Sequence, residues 1–480
     1  MTGHMTPEEF RRQGHAVIDW IADYWESLDE LPVLSRVAPG EVRRALPAAA
    51  PEHPEPFDSL LADVDAIVVP GLTHWQHPRF FAYFPANSSP AAILGDLLSS
   101  GIGAQGMIWA TGPAVTEVEQ VVVDWLARAM GLPEQFLHAA PGRGGGVIHD
   151  TASTATFTAL VAAISAATGG RSPEQGLGSH RWTVYGSTQA HSSLVKAAMM
   201  AGLGSDCVRG IQVDPRTQAM DVRALERQLA DDVDDGFQPL FVQAAVGTTS
   251  TGAVDDVEEI AMAVDGLAWL HVDAAWAGVA AVCPEHRDRL MRGVHLARSF
   301  VTNPHKWLLT TFDCSVLWVR DSALLTGALS ITPEYLRNAA TESGEVVDYR
   351  DWHPQLGRRF RALKLWAVLR TYGLEGLRAH IRDGVALAAY VEELVASDDR
   401  FELVTDRSLS LVVFRLRAGD DATLAAMEAL NASGVAYLSH TRVEGRAAMR
   451  LAVGSWRTTR ADVDRTWAAL QEAAEGVLGG

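Results

Sequence analysis

The chain has 480 residues, of which 48% are hydrophobic and 21% charged, a composition typical of a folded globular protein rather than a disordered one. Its 59 acidic and 40 basic side chains give a net charge of −19, so we expect neither nucleic acid nor a membrane surface as a partner. No apolar run approaches the ~18 residues of a membrane span, and no basic segment precedes an apolar core at the N-terminus, which predicts a cytoplasmic protein. Three scattered cysteines are too few for a disulfide framework or a zinc site.

The first element predicted along the chain is an N-terminal helix. Thr6 supplies a hydroxyl N-cap, Pro7 suits the first turn, and Glu9 stands three residues after the cap. Apolar residues then recur at helical spacing until a proline-rich stretch, residues 32–56, interrupts the pattern. Because this segment has little of its own to bury against, we expect residues 1–89 to pack on another subunit or on the main body of the chain.

Residues 90–360 are predicted to form a large α/β domain. Short β-rich runs, such as residues 239–246 and 269–272, alternate with apolar helical segments, as in a mostly parallel sheet covered on both faces. After residue 361 the pattern changes to a long helix that ends at Gly373, alternating strands, and a last helix over residues 461–474. The sequence therefore predicts a smaller α+β domain at residues 361–480.

Asp273 and Lys306 are the strongest candidates for chemistry. Asp273 ends a predicted buried strand among small residues, which leaves room for a flat ring where α/β sheets bind ligands. Lys306 stands between His305 and Trp307, and a desolvated lysine forms Schiff bases with aldehydes. Together they point to pyridoxal phosphate (PLP), with Lys306 on the aldehyde and Asp273 on the pyridine nitrogen. Taken singly, Asp273 also fits a turn-capping carboxylate and Lys306 a surface lysine.

A glycine-rich stretch, residues 144–146, precedes a short predicted strand and the hydroxyl-rich start of a helix. Free N–H groups and the positive dipole end of such a helix favour a phosphate, and Thr151 and Ser153 can each donate a hydroxyl hydrogen bond. The pattern predicts an anion site, although an ordinary helix cap after a flexible loop has the same appearance.

Two further segments follow predicted strands and would face the same cleft. His191 comes after the strand at residues 183–185, where an imidazole can stack over a pyridine ring, although a structural buried histidine has the same signature. Thr248 lies in a hydroxyl-rich run, residues 247–252, which also fits a plain turn.

Residues 101–106 match the dinucleotide pattern GxGxxG, but their context argues against that cofactor. The fingerprint needs a strand before it and a helix directly after it. Here residues 91–98 have the pattern of a helix, and the next helix begins only at about Val115. We therefore expect no nicotinamide or flavin.

Taken in order, these motifs resemble the PLP-dependent aromatic L-amino-acid decarboxylases, the group II decarboxylases. The resemblance runs almost continuously from Phe10 to the last helix and includes residues 77–85, the glycine loop at residue 144, and residues 189–193, 271–278, 303–308 and 356–360. It implies the fold-type-I, aminotransferase-like class with a central, mostly parallel seven-stranded sheet. It also implies a homodimer in which residues 1–89 pack on the partner subunit.

The resemblance implies roles for individual residues. Lys306 corresponds to the Schiff-base lysine, Asp273 to the partner of the pyridinium nitrogen, and His191 to the residue that stacks on the ring. The other cofactor neighbours that it implies are Ala152, Ser153, Thr248, Ala275, Asn303 and His305. The implied pocket for the aromatic side chain of the substrate comprises Trp75, Tyr83, Phe84 and Pro85, with Gln105 and Met107 reaching in from the other subunit.

Product and substrate follow from three more positions. Tyr335 resembles a catalytic loop tyrosine that returns a proton to Cα after CO₂ leaves, although by sequence alone it also fits a surface aromatic. Related aromatic aldehyde synthases carry Phe there, so Tyr335 argues for an amine product. Gly357 resembles a glycine that accompanies indolic substrates in plant relatives, and Ala86 stands where catecholamine-forming relatives have a hydroxyl residue. We expect decarboxylation of an aromatic L-amino acid, first tryptophan, with phenylalanine, tyrosine and dopa as other candidates.

Two other functions remain open on the sequence. An aromatic acetaldehyde synthase would use the same cofactor site and release aldehyde, ammonia and hydrogen peroxide. A PLP-binding protein without catalysis would serve as an interaction or regulatory subunit. Retention of Lys306, Asp273, His191 and Tyr335 together argues against the second of these.

Overall fold

The computed structural model describes residues 4–331 and 338–479. Seven strands form a central sheet in the order β1-β7-β6-β5-β4-β2-β3, in which β7 runs antiparallel to both of its neighbours and the other pairs are parallel. The predicted mostly parallel seven-stranded sheet is therefore confirmed. Its strands are β1 Gly145–His149, β2 Trp182–Ser187, β3 Val208–Ile211, β4 Gln238–Ala245, β5 Trp269–Asp273, β6 Ser299–Thr302 and β7 Ser315–Val319.

Helices pack on both faces of this sheet. Neighbouring residues of one strand belong to two different apolar cores: Val147 packs with the core on one face, and Ile148 with the core on the other. Strands buried on both faces explain why the β-rich runs are almost continuously apolar. The helices up to residue 343 are α1 Pro7–Ser27, α2 Glu41–Ala45, α3 Phe57–Asp63, α4 Pro90–Ile102, α5 Pro113–Met130, α6 Ala152–Ala167, α7 Ser172–Gln175, α8 Ser193–Met200, α9 Val222–Asp234, α10 Val257–Val264, α11 Pro284–Met291, α12 Pro304–Trp307, α13 Ser322–Leu329 and α14 Ala339–Ser343.

A second, smaller sheet lies in the C-terminal part of the chain. It is antiparallel, with the order β10-β11-β9-β8, where β8 is Phe401–Leu403, β9 Leu411–Leu416, β10 Ser439–Val443 and β11 Arg446–Ala452. The helices α15 Ala362–Ser397, α16 Asp420–Ser433 and α17 Arg460–Leu478 accompany it. Within α15, Gly373 has φ 59° and ψ 175°, so the helical path is interrupted at the residue where the sequence predicts a helix end. The division of the chain at residues 89 and 360 stays a prediction.

The N-terminal helix α1 begins with the predicted capping box. The Thr6 hydroxyl accepts from the backbone N–H of Glu9, and the Glu9 carboxylate accepts from the N–H of Thr6. None of its residues is buried, and Phe10 is 63% exposed. Packing of this helix on a partner subunit stays a prediction.

Residues 101–106 do not form a dinucleotide-binding turn. Gly101 and Ile102 end α4, and Gly103 caps that helix with φ 65°. A helix therefore precedes the glycines, as the sequence pattern predicts. Within the described residues, no helix is both long enough and apolar enough to cross a membrane.

Candidate active site

A cavity of about 220 Å³ lies at the carboxyl ends of β4, β5 and β6. This is the edge at which open α/β sheets bind ligands. All ten residues predicted to contact the cofactor line it: Thr151, Ala152, Ser153, His191, Thr248, Asp273, Ala275, Asn303, His305 and Lys306. The cavity wall also includes Phe84, Ser193, Ala245, Gly247, Thr249, Trp276 and Phe312.

Lys306 lies in the short helix α12, which follows β6 directly. Its turn is held by Asn87, whose backbone N–H donates to the His305 carbonyl at 3.0 Å and whose side-chain amide donates to the Lys306 carbonyl at 2.5 Å. Burial lowers the pKa of Lys306, the Asp273 carboxylate raises it, and the Arg450 guanidinium lowers it, with a net downward shift. A lowered pKa favours the neutral amine, which is the nucleophilic form.

The chain contains only three lysines, and their settings differ. Lys196 is exposed on α8, whereas Lys364 is buried with its ammonium 3.2 Å from the Asp96 carboxylate. Lys306 is the lysine that lines the cavity. An aldehyde bound in the cavity would therefore meet one lysine, Lys306, in the cavity wall.

Asp273 is the last residue of β5 and is buried. One carboxylate oxygen accepts from the Gln243 side-chain amide at 3.0 Å, and the other accepts from the backbone N–H of Ala275 at 3.1 Å. Both donors are neutral, and no basic side chain forms an ion pair with Asp273 within the described part of the chain. The Asp273 side chain is therefore placed to pair with a cationic group in the cavity.

The start of α6 forms another wall of the cavity. Thr151 is the N-cap, and its hydroxyl accepts weakly from the Thr154 N–H at 3.5 Å. The backbone N–H groups of Ala152 and Ser153 belong to the first helical turn and have no partner inside the helix. Free N–H groups at the positive end of a 16-residue helix suit a phosphate.

The glycines at residues 144–146 have a different role from the predicted one. Gly145 and Gly146 belong to β1 and do not line the cavity. A Cβ atom on Gly146 would lie 2.7 Å from Nε1 of Trp318 on the adjacent strand, so its missing side chain permits close packing. The start of α6 therefore lines the cavity without the glycine stretch, and its binding of an anion stays a prediction.

Two histidines of the cavity wall use the same ring nitrogen, Nδ1, as a hydrogen-bond acceptor. Nδ1 of His191 accepts from the Ser193 N–H at 3.1 Å, and Nδ1 of His305 accepts from the Cys314 N–H at 2.9 Å. Burial is the main cause that lowers the pKa of His191, and it lowers the pKa of His305 to about 3. Each neutral ring whose Nδ1 accepts carries its proton on Nε2. Both histidines are therefore hydrogen-bond donors at neutral pH.

An aromatic stack closes the side of the cavity near Lys306. The Phe84 ring stacks on Trp276 with centroids 4.2 Å apart, and Trp276 stacks on Trp307 at 5.5 Å. Nζ of Lys306 lies 5.8 Å from the Phe84 ring centre. This wall is apolar and tightly packed, so it excludes water from one side of the lysine.

The other predicted substrate residues lie outside this cavity. Trp75 stacks on Tyr83 at 5.8 Å, and both are exposed. Pro85 is buried beside Gly454, and Ala86 accepts a hydrogen bond from Gln76 through its carbonyl. The predicted catalytic Tyr335 lies outside the described residues.

Gln105, Met107 and Gly357 form a separate group. The Gln105 side-chain oxygen accepts from the Arg358 N–H at 2.6 Å, and the Met107 carbonyl accepts from the Arg350 N–H at 2.9 Å. A Cβ atom on Gly357 would lie 3.4 Å from Nε2 of Gln105. These three residues do not line the Lys306 cavity of their own chain.

Several contributors to the site were not predicted from the sequence. Gln243 and Phe312 lie in apolar or loop segments that have no distinctive pattern, and Trp276 lies in the motif at residues 271–278 but had no predicted role. Gln243 had one available signal, because an amide in the apolar, buried part of β4 needs a buried partner. Trp276 and Phe312 come together only through the tertiary fold.

The residues of the cavity fit PLP. Ser193 Oγ and Asn303 Oδ1 are buried and have no hydrogen-bond partner within the described residues, so the cavity offers free polar groups. A lysine amine, an unpaired carboxylate, free helix N–H groups and two imidazole N–H groups match an aldehyde, a pyridine nitrogen and a phosphate.

Comparison with known proteins places the chain in a family. Residues 39–417 match the family model described as the pyridoxal-dependent decarboxylase conserved domain. Tryptophan decarboxylase 2 of Oryza sativa subsp. japonica is 45% identical (99% of this chain, 96% of the relative), and phenylacetaldehyde synthase of Arabidopsis thaliana is 44% identical (99% and 97%). The crystal structure of Oryza sativa TDC with PLP and tryptamine is 42% identical, with a TM-score of 0.96 and 99% of each chain covered. This chain belongs to the pyridoxal-dependent decarboxylases and is a fold-type-I, PLP-dependent carboxy-lyase.

Proposed function

We propose that this chain decarboxylates an aromatic L-amino acid to the arylalkylamine and CO₂, with tryptophan as its preferred substrate. The observation that carries the proposal is the single cavity in which Lys306 and Asp273 lie with the other eight predicted cofactor residues. The relatives at 44–45% identity, which are named for tryptophan decarboxylation and phenylacetaldehyde synthesis, support an aromatic substrate.

Each part of the cavity has a task in this reaction. PLP supplies an electron sink for the bond that breaks at Cα. Lys306 would bind its aldehyde, and Asp273 would hold a proton on its ring nitrogen, while the first turn of α6 with Ser153 and Asn303 would bind its phosphate. His305 would add a hydrogen-bond donor for the phosphate.

His191 and Tyr335 are assigned to the substrate side. The Nε2–H of His191 can donate to the α-carboxylate, which orients that group for loss as CO₂. The Phe84–Trp276 wall keeps water from this part of the cavity and strengthens the charge interactions within it. By its resemblance to the family's loop tyrosine, Tyr335 then returns a proton to Cα.

Three features favour an indole side chain in the substrate. Gly357 leaves its position without a side chain beside Gln105, and Ala86 adds no hydroxyl. Both residues therefore favour a wide apolar slot over one that recognises a catechol. One of the solved relatives is described with tryptamine.

A substrate panel tests the proposal. Tryptophan, 5-hydroxytryptophan, phenylalanine, tyrosine and dopa are compared by CO₂ release, with histidine as a non-benzenoid control. We expect tryptophan to give the highest kcat/KM, and a methylene-scale difference in fit to separate aromatic substrates by roughly 10- to 200-fold. Release of CO₂ from none of the aromatic amino acids would exclude the proposed function, and a preference for tyrosine or dopa would overturn the choice of tryptophan.

Aromatic acetaldehyde synthesis is the second candidate function, and the 44% identity to a phenylacetaldehyde synthase supports it. We expect amine from the wild-type chain because position 335 is Tyr. In Tyr335→Phe, the proton donor for Cα is lost, so product should shift toward aldehyde with ammonia and hydrogen peroxide, with dissolved O₂ as the two-electron oxidant and water supplying the aldehyde oxygen. The amine and the aldehyde are measured in the same reaction mixture. Aldehyde as the main wild-type product would favour the second function, and unchanged amine output from Tyr335→Phe would remove the role of this residue.

We also propose that the active form is a homodimer, to which Gln105 and Met107 contribute across the interface. Four apolar side chains of α4 are about half exposed or more, namely Leu94, Leu97, Leu98 and Ile102. An exposed apolar stripe of this kind favours association. This stripe directly precedes Gln105 and Met107, which do not line the cavity of their own chain.

Sedimentation analysis tests the dimer. The wild-type mass should be about twice the 51.7 kDa of one chain, and Leu98→Glu should shift it toward one chain with loss of turnover. Met262→Glu is the matched control, because Met262 is a similarly exposed apolar residue on α10. A monomeric wild type that is fully active would contradict the proposal.

A further inference from the structure

Arg450 is a buried arginine in β11 that has no carboxylate partner among the described residues. Its side chain is 3% exposed, and it forms no ion pair with any described residue. Burial lowers its pKa to about 10, which still leaves it charged at neutral pH. Buried cations are normally paired, so a guanidinium without a counterion calls for a functional explanation.

The three hydrogen bonds of Arg450 join three separate parts of the chain. Nε donates to the Ser250 carbonyl at 3.1 Å, Nη1 to the Ser439 hydroxyl at 2.8 Å, and Nη2 to the Tyr83 carbonyl at 3.3 Å. Ser250 belongs to the turn that carries Thr248 and Thr249 into the cofactor cavity. All three acceptors are neutral, so the positive charge of Arg450 is not cancelled by them.

Tyr83 needs this support because its backbone has φ 54°. This left-handed conformation is unfavourable for a residue with a bulky side chain. The Ser439 hydroxyl accepts from the Tyr83 N–H at 3.1 Å, while Arg450 holds the Tyr83 carbonyl. Arg450 and Ser439 therefore hold both polar groups of the Tyr83 backbone, and this conformation directs the next residue, Phe84, into the cavity wall.

Arg450 and Lys306 face the same aromatic ring. The guanidinium carbon of Arg450 lies 5.1 Å from the Phe84 ring centre, and Nζ of Lys306 lies 5.8 Å from it. The ring also stacks on Trp276 at 4.2 Å. Phe84, Trp276 and Lys306 line the cavity, whereas Arg450 does not. Arg450 is therefore placed behind the wall rather than at the reacting atoms.

We propose that Arg450 is a positioning residue for the Lys306 site, which fixes Phe84 in the cavity wall and places an uncancelled positive charge close to the lysine nitrogen. The charge disfavours protonation of that nitrogen, in agreement with the downward effect of Arg450 on the pKa of Lys306. The hydrogen bonds keep the apolar wall closed against water. This inference rests on the proposed role of Lys306.

The two contributions of Arg450 are separated by its variants. Arg450→Lys keeps the positive charge but loses the three-way hydrogen bonding, whereas Arg450→Gln loses both. Ser439→Ala removes the shared acceptor and leaves Arg450 in place. Arg446→Gln is the matched control, because Arg446 is exposed on the same strand β11. Arg450→Met is a second neutral variant should the glutamine variant fail to fold.

The first measurement is a pH titration of the holoenzyme absorbance, whose midpoint reports proton loss from the nitrogen that links Lys306 to the cofactor. A positive charge across one aromatic ring lowers such a midpoint by on the order of one pH unit. Arg450→Gln and Arg450→Met should therefore raise the midpoint by about one unit. Arg450→Lys, Ser439→Ala and Arg446→Gln should leave it close to the wild-type value.

The second measurement is steady-state kinetics with the preferred substrate. Arg450→Lys and Ser439→Ala should raise KM several-fold because the Phe84 wall loosens, while Arg446→Gln should not. An unmoved midpoint in both neutral variants would overturn the electrostatic role, and an unchanged KM in Arg450→Lys and Ser439→Ala would overturn the positioning of Phe84. If the wild-type absorbance does not depend on Lys306 at all, the proposed function fails instead, so the two failures are distinguishable.

Discussion

Lys306→Ala should lose the visible absorbance of the lysine-linked cofactor and lower turnover by roughly 10³-fold or more. The reason is that the cavity contains no other lysine, and the two remaining lysines of the chain are either exposed on α8 or buried in an ion pair with Asp96. The variant should still fold, because the carbonyl of residue 306 keeps its hydrogen bond from Asn87. Absorbance spectra and single-turnover CO₂ release on the purified variant measure both effects.

Lys196→Ala is the matched control for this experiment and should leave spectrum and turnover unchanged. Borohydride reduction of the wild-type holoenzyme followed by peptide mapping should label Lys306 and neither Lys196 nor Lys364. The small number of lysines makes this mapping unambiguous. Labelling of Lys364, or a Lys306→Ala variant with an unchanged spectrum, would mean that the cofactor is attached elsewhere.

Asp273→Asn should lower kcat by at least about 10²-fold while the cofactor remains bound. The amide has the shape of the carboxylate but no negative charge, so it does not hold a proton on the ring nitrogen of the cofactor. The fold should tolerate the change, because Oε1 of Gln243 has no described partner and can accept from the new amide after the Gln243 side chain rotates. kcat and the cofactor dissociation constant are measured separately, since only the first should change strongly.

Asp255→Asn is the control for loss of a buried carboxylate. Asp255 accepts from the backbone N–H groups of Ala245 and Met220 and does not line the cavity, so its replacement should lower stability without a comparable loss of kcat in the folded protein. Equal losses of kcat in the two variants would argue that Asp273 acts on the fold and not on the cofactor.

The sheet was predictable because most of its strands are buried on both faces and are therefore almost continuously apolar. Some residues that line the cavity were predictable for a related reason: polar and small residues such as Asp273 and Thr248 lie at or just after the ends of those strands, at one edge of the sheet. The interruption of the long helix α15 was likewise predictable, because it occurs at a glycine, Gly373. The local sequence pattern was sufficient to predict the position of a side chain wherever a single strand or turn determines that position.

Contacts between residues far apart in the chain could not be predicted from the sequence. Arg450 and Tyr83 are far apart in the chain, and nothing local to either residue indicates that they are hydrogen-bonded. The glycines at residues 144–146 misled the anion-site prediction, because strand packing and phosphate binding both call for residues without a side chain. Residues 105, 107 and 357 lie away from the Lys306 cavity, so their proposed contribution depends on a second subunit rather than on anything within one chain.

The hydrogen bonds around the lysine turn also bear on the order of events during synthesis. Asn87 and Lys306 are 219 positions apart, and Tyr83 and Arg450 are 367 apart, so the walls of the cavity close only after nearly the whole chain has been made. Closing loops of this length before their contacts form is entropically costly, and such contacts assemble slowly. Vitamin B6 capture should therefore come late in maturation, and truncated products from the ribosome should stay colourless even when they contain residue 306.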